Sequence, residues 1–117
     1  MLDCLDKYRR GWADDDLDML LSGCADDFVF DDPYDGRITK AKFADYYRGL
    51  DGEGEFTEWM TQESDGRATA LAWFHYKPKG EAEWTQEGSA LTKADSEGVH
   101  SMRVAYYKHS PDLPPAR

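Results

Sequence analysis

The chain is poor in the residues that build metal centres, disulfide frameworks and nucleic-acid surfaces. Its 117 residues include only two cysteines, Cys4 and Cys24, and three histidines, His75, His100 and His109. None of them falls at a metal-ligand spacing. The cysteines could close one bridge at most; both lie in segments that read as helix, and nothing in their spacing argues for pairing. Lys and Arg number 14 against 24 Asp and Glu, a formal net charge of −10. Such a surface repels phosphate backbones and anionic lipid, which excludes nucleic acid and membrane as partners. No apolar run is long enough to span a bilayer, and the start MLDCLDKYRR has no apolar signal region. The expected setting is therefore the cytoplasm, with reduced thiols.

Several chemical signatures are missing too. There is no Gly-rich phosphate loop, no G-x-S-x-G elbow and no H-E-x-x-H pair. The run from Asp31 imitates a calcium loop through Asp35-Gly36, but Pro33 takes a ligand position and Lys42 stands where the bidentate Glu belongs. Neither a metal nor a cofactor is expected.

What the chain does have is aromatic weight: four Trp, seven Tyr and five Phe. A disordered acidic chain lacks that endowment, so the charge reads as a solvated surface over a real core. The length suits one domain, expected over 1–109, with a Pro-rich tail at 110–117 expected to be flexible.

Hydrophobic spacing sets out the elements. Leu5, Tyr8 and Trp12 fall on one face of a helix over 2–14. Asp16 reads as the N-cap of a short second helix carrying Leu17, Leu20, Leu21 and Cys24. Phe28-Val29-Phe30 reads as a strand that runs into an Asp-rich turn. Thr39 can cap a third helix with Phe43, Tyr46, Tyr47 and Leu50 on its apolar face, ended by the Gly-rich run 51–54. Four strands are predicted after it, at 55–63, 67–77, 82–93 and 99–109, separated by turn chemistry.

This order is an α+β layout with helices on one sheet face. The strand 67–77 carries bulk on both faces: Leu71, Trp73 and His75 on one, Ala70, Ala72, Phe74 and Tyr76 on the other. A second apolar face needs a cover. The expected cover is a second copy of the chain, giving a homodimer through the sheet face, with Trp84 on the neighbouring strand taking part.

The residues Tyr8, the run DDDLDMLLSGCADDFVFDDP (14–33), the segment Gly36–Tyr47, and Ser101-Met102-Arg103 resemble the nuclear transport factor 2-like superfamily. Within it they are most similar to the SnoaL-like and ketosteroid isomerase group. The resemblance covers nearly the whole chain and implies a cone-shaped barrel, a strongly bent and mostly antiparallel sheet wrapped around N-terminal helices (a cystatin-like roll). By that resemblance Asp32 corresponds to the isomerase general base, and Tyr8, at the matching distance upstream, to the oxyanion-hole tyrosine. The second oxyanion group falls on Ser89, a hydrogen-bond donor but not an acid. The resemblance also turns the His75 strand face inward.

The candidate site follows. Burial beside an apolar strand would raise the pKa of Asp32 toward a usable base; alternatively, Asp31, Asp32 and Asp35 simply cap the turn. Tyr8 is either an oxyanion donor or a core tyrosine with some hydrogen-bonding neighbour. His75 is either an acid or base facing Asp32 or a structural imidazole. Trp12 reads as a packing anchor at the closed end of the cone. The substrate-binding candidates are Tyr34, Tyr47, Trp59, Trp73, Glu87, Ser89, Met102 and Tyr106, with Glu87 and Ser89 expected to face inward unless a bulge reverses them. The expected function is a cofactor-independent acid/base enzyme, of isomerase, cyclase or dehydratase type, on a small, mostly apolar carbonyl compound. The alternative is a non-catalytic ligand-binding or dimerisation module of the same fold.

Overall fold

The computed structural model describes residues 2–111, so the tail expected at 110–117 lies outside the described residues from 112 onward. Three helices, α1 (Asp3–Ala13), α2 (Leu17–Ser22) and α3 (Lys40–Leu50), accompany six strands. These are β1 (Cys24–Asp32), β2 (Gly36–Thr39), β3 (Gly52–Ser64), β4 (Arg67–Pro78), β5 (Gln86–Asp95) and β6 (Gly98–Lys108). They form one open sheet in the order β2-β1-β6-β5-β4-β3. Every pairing is antiparallel except β1 with β6, which run parallel. The arrangement is the expected α+β roll: a bent sheet with α1 lying in its concave face.

The helix faces follow the spacing. Leu5, Tyr8 and Trp12 are buried along one side of α1. Gly11 lets α2 approach closely, since a Cβ there would stand 2.5 Å from Leu20 Cβ. The Asp16 carboxylate caps α2 by accepting from the Met19 N–H at 3.1 Å. Thr39 occupies the N-cap of α3 without a side-chain bond.

Bends in the sheet come from breaks in register. The β3–β4 ladder slips between Thr57 and Met60, where Glu58 takes a φ of 54°, a bulge that sharpens the local twist. The β3–β4 turn is tight: Asp65 and Gly66 both have positive φ, 53° and 74°, as a two-residue hairpin turn requires.

Four expectations are corrected. Cys24 opens β1 rather than closing α2, and β1 is longer than the three residues predicted. β2 was not predicted at all; it is short and pairs only with β1. Residues 79–85 are a loop, so Trp84 lies outside the sheet. The facing of β4 and β5 is the reverse of that expected. Ala68, Ala70, Phe74 and Tyr76 are buried inward, while Leu71 and Trp73 stay 47% and 42% exposed on the outer face. On β5 the inward residues are Gly88, Ala90, Thr92 and Ala94, and Ser89 is exposed. The inward side of β4 changes along its length: Ala68 and Ala70 are small, whereas Phe74 and Tyr76 are large and buried, Phe74 packing against Trp12 of α1.

Candidate functional site

The rings of the core leave one end of the roll unfilled. A cavity of about 370 Å³ opens there, between the β1–β2 turn, α3 and the ends of β4 and β6. Its deep wall is Trp12, Phe30 and Phe74. Trp12 meets Phe74 nearly edge-on, with centroids 5.1 Å apart. Tyr34, Tyr46, Tyr76 and Tyr106 ring the mouth, and Asp35 and Glu81 supply the carboxylates of the lining. Asp35 is held in place because the Tyr46 hydroxyl donates to its Oδ2 at 2.8 Å. Tyr76 donates to the Leu50 carbonyl at 3.1 Å, tying α3 to β4.

Asp32 ends β1 just before the turn that carries Tyr34 and Asp35 into this lining, with only 4% of its surface exposed. Its Oδ1 accepts from the backbone N–H groups of Tyr34 and Asp35, both at 2.7 Å. The side chain therefore caps the turn and is buried at the same time. Burial is the larger influence and raises its pKa above the ordinary 3.8, against the opposing pull of the two N–H groups. Its charge reaches the mouth phenols: Tyr46 and Tyr106 are pushed well up, first by burial and next by Asp32. Asp32 itself is not among the residues lining the cavity.

Tyr8 is not brought to Asp32. It is fully buried under the cavity floor, between Phe28 and Phe56, and its hydroxyl donates to Met102 Sδ at 2.9 Å. Burial holds that phenol strongly neutral. Beside it, the Trp12 Nε1 is buried without a hydrogen-bond partner of good geometry, although it lies close enough to the Tyr8 oxygen to favour the ionised form slightly. Trp12 thus walls the cavity, correcting its assignment to the closed end.

His75 faces away from the cavity, on the outer face of the sheet. There its Nε2 meets Thr57 Oγ1 at 2.7 Å and its Nδ1 meets Glu87 Oε1 at 2.8 Å. The inward facing expected for His75, Glu87, Ser89 and Trp73 is overturned together, since ladder partners share a face and His75 pairs with Glu87, Trp73 with Ser89. A register shift between Glu87 and Gly88, opposite Tyr107, accompanies the change. Trp59 packs on Phe56 and under the Arg9 guanidinium at 5.5 Å, beside α1 rather than in the cavity. Tyr47 donates to Asp15 in a separate acidic groove that Lys79 closes with an ion pair to Asp15 of 2.8 Å. Met102 lies fully buried below. Of the expected binding residues, Tyr34 and Tyr106 line the mouth.

Sequence reasoning missed Phe30, Tyr46, Phe74, Tyr76 and Asp35 as lining residues. The helix spacing had placed Tyr46 on an apolar face, and a phenol there facing an Asp-rich turn was the available signal. At the opposite end of the roll, the structure groups ligand atoms of Asp95, Glu97 and His100 within 4.8 Å of one another. His100 is already engaged, its Nδ1 2.5 Å from Asp27 and its Nε2 2.8 Å from Asp95, so the trio reads as an ion-paired clamp.

No protein-family model matches the chain, and no curated protein sequence matches it. Solved structures do. A polyketide cyclase candidate from Xanthomonas campestris pv. campestris aligns over 88% of this chain and 87% of its own, with a TM-score of 0.64 and 16% identity. A nuclear transport factor 2-like protein from Cytophaga hutchinsonii aligns over 89% and 87%, with a TM-score of 0.67 and 10% identity. The chain has the nuclear transport factor 2-like fold. The same fold in the beta subunit of a benzoate 1,2-dioxygenase from Burkholderia mallei matches over 91% of both chains, with a TM-score of 0.65 and 14% identity. Within the nuclear transport factor 2-like roll seen here, the cavity lies at the open end. No helix among the described residues is long and apolar enough to cross a membrane.

Proposed function

We propose that this chain is a small-molecule pocket protein whose aromatic cavity binds a compact, mostly apolar molecule, and that Asp32 moves a proton on it. The observation that carries this reading is a nearly buried carboxylate, with its pKa raised, that holds the turn whose Tyr34 and Asp35 line an aromatic cavity. A carboxylate so placed is a better base at neutral pH than a solvated one. The aromatic walls would exclude water from the reacting group. Tyr106, half-buried in the same mouth, replaces Tyr8 as the phenol able to donate to a developing oxyanion. Cyclase-type proton transfer on a carbonyl compound is compatible with this set, and the fold shared with structures described as polyketide cyclases supports it.

The second reading is binding without catalysis. It is favoured by the commitment of Asp32 Oδ1 to two backbone donors and of Tyr8 to Met102. An exchange experiment separates the two. 2-Tetralone, a planar carbon acid, is incubated with the protein in heavy water and its α-protons are followed by NMR. Exchange above the buffer rate that disappears in Asp32→Asn supports the enzyme. Bound tetralone with no accelerated exchange leaves the binding module.

A homodimer belongs to the same proposal. Met60, Leu71, Trp73 and Tyr107 are exposed large apolar residues, and Trp73 and Tyr107 are in contact. An outer sheet face of this kind is suited to a second copy.

A further inference from the structure

We propose that the cavity at the open end selects an organic cation, an amine or quaternary ammonium head carried on a small apolar frame. The inference rests on the reading of the cavity as a ligand site and narrows what that site takes.

The first observation is the density of ring faces. Trp12, Phe30 and Phe74 form the deep wall, and Tyr34, Tyr46 and Tyr106 stand around the mouth. Tyr34 and Tyr106 lie 6.0 Å apart, and Phe30 and Tyr46 5.7 Å apart. Aromatic faces attract a weakly hydrated cation, and a box of them is the usual chemistry for holding a quaternary ammonium.

The second observation is the sign of the charge. Asp35 and Glu81 are the charged residues of the lining, and no Lys or Arg lines the cavity among the described residues. Asp35 is tethered at the rim by Tyr46. The lysines nearby in sequence are engaged elsewhere: Lys79 with Asp15 and Asp51, Lys77 with Glu53 and over the Trp84 ring, and Lys108 with Glu87. The His109 ring lies against Tyr34, outside the lining. Three mouth phenols feel the negative field, with Asp32 or Asp35 among the causes that hold Tyr46, Tyr76 and Tyr106 neutral, after burial in each case.

Together these features discriminate by charge. A carboxylate ligand would lie near Asp35 with no Lys or Arg of the lining, among the described residues, to pair with it, whereas a neutral ligand would use the rings alone. An ammonium head uses both, and the net charge of −10 raises its concentration near the surface.

The test uses three probes on the intact chain, with tryptophan emission and calorimetry as readouts: phenyltrimethylammonium, its neutral isostere tert-butylbenzene, and benzoate. The cation is expected to bind roughly tenfold more tightly than the isostere, with benzoate weakest. Glu81→Gln and Asp35→Asn should each weaken the cation about threefold or more and leave tert-butylbenzene unchanged. Equal affinity for the cation and its isostere, or a cation affinity indifferent to both substitutions, would overturn the inference while leaving the cavity a ligand site. Failure of all three probes to bind would overturn the inference and the ligand-site reading together.

Discussion

Replacing Asp32 separates its two jobs, because Asn can do one of them and Ala neither. Oδ1 accepts two backbone hydrogen bonds of 2.7 Å. Bonds to an ionised acceptor are worth about 1.5–3 kcal/mol each when lost outright. Here Tyr34 is half-buried and Asp35 exposed, so water recovers part of each bond. The Asp32→Ala variant also escapes the penalty of a buried charge. A net loss of about 2–3 kcal/mol is expected for Ala. Asn keeps a carbonyl oxygen for both N–H groups and carries no charge, so Asp32→Asn should stay within about 1 kcal/mol of the parent. The pH dependence adds a sign. Since the folded pKa lies above the ordinary 3.8, the folded state holds the proton longer than the unfolded state. Stability from this group therefore falls as pH rises through that window. The Asn variant lacks the effect and should gain on the parent as pH rises. Urea unfolding of parent, Asn and Ala forms across the acid range measures all three. If the Asn deficit grew with pH, the fold would be stabilising the Asp32 charge, and the basis for a proton-transfer role would be gone.

Three further outcomes are expected. Gly54→Ala puts a Cβ 2.5 Å from Trp12 Cε3 and 3.0 Å from Phe74 Cζ; it should cost about 1–3 kcal/mol and weaken binding of any cavity probe, and unchanged urea unfolding would count against the packing described. The pKa of His100 is raised by Asp27 and then Asp95, so its contribution is present below the ordinary 6.5 and lost as pH rises through the folded midpoint; thermal melts of His100→Gln should lose that pH slope, and an unaltered slope would remove the clamp from the account. Sedimentation should show the parent at twice the monomer mass and the double variant Leu71→Glu, Trp73→Glu at monomer mass; a parent already monomeric would leave the outer face without this partner.

Local chemistry made much of the fold legible. The spacing of Leu5, Tyr8 and Trp12, the Asp16 cap and the Asp65-Gly66 turn are short-range patterns, each set by backbone geometry within a few residues. The bent roll came from the resemblance, and the solved structures share it. Less of the site was legible. Cys24 has no local signal separating a helix end from a strand start, and β2 exists only because β1 offers it an edge.

The division is sharpest on β4. Alternation in the sequence determined that Leu71, Trp73 and His75 share one face and Ala70, Phe74 and Tyr76 the other, because successive side chains of a strand must point oppositely. Which face lies inside was decided by tertiary structure. Helix α1 and its rings fill the concave side, where Phe74 packs against Trp12, so that face of β4 is buried and Leu71 and Trp73 are turned out. The same packing decided the cavity, whose rings come from α1, β1, α3, β4 and β6 and are adjacent only once the sheet has curved around the helix.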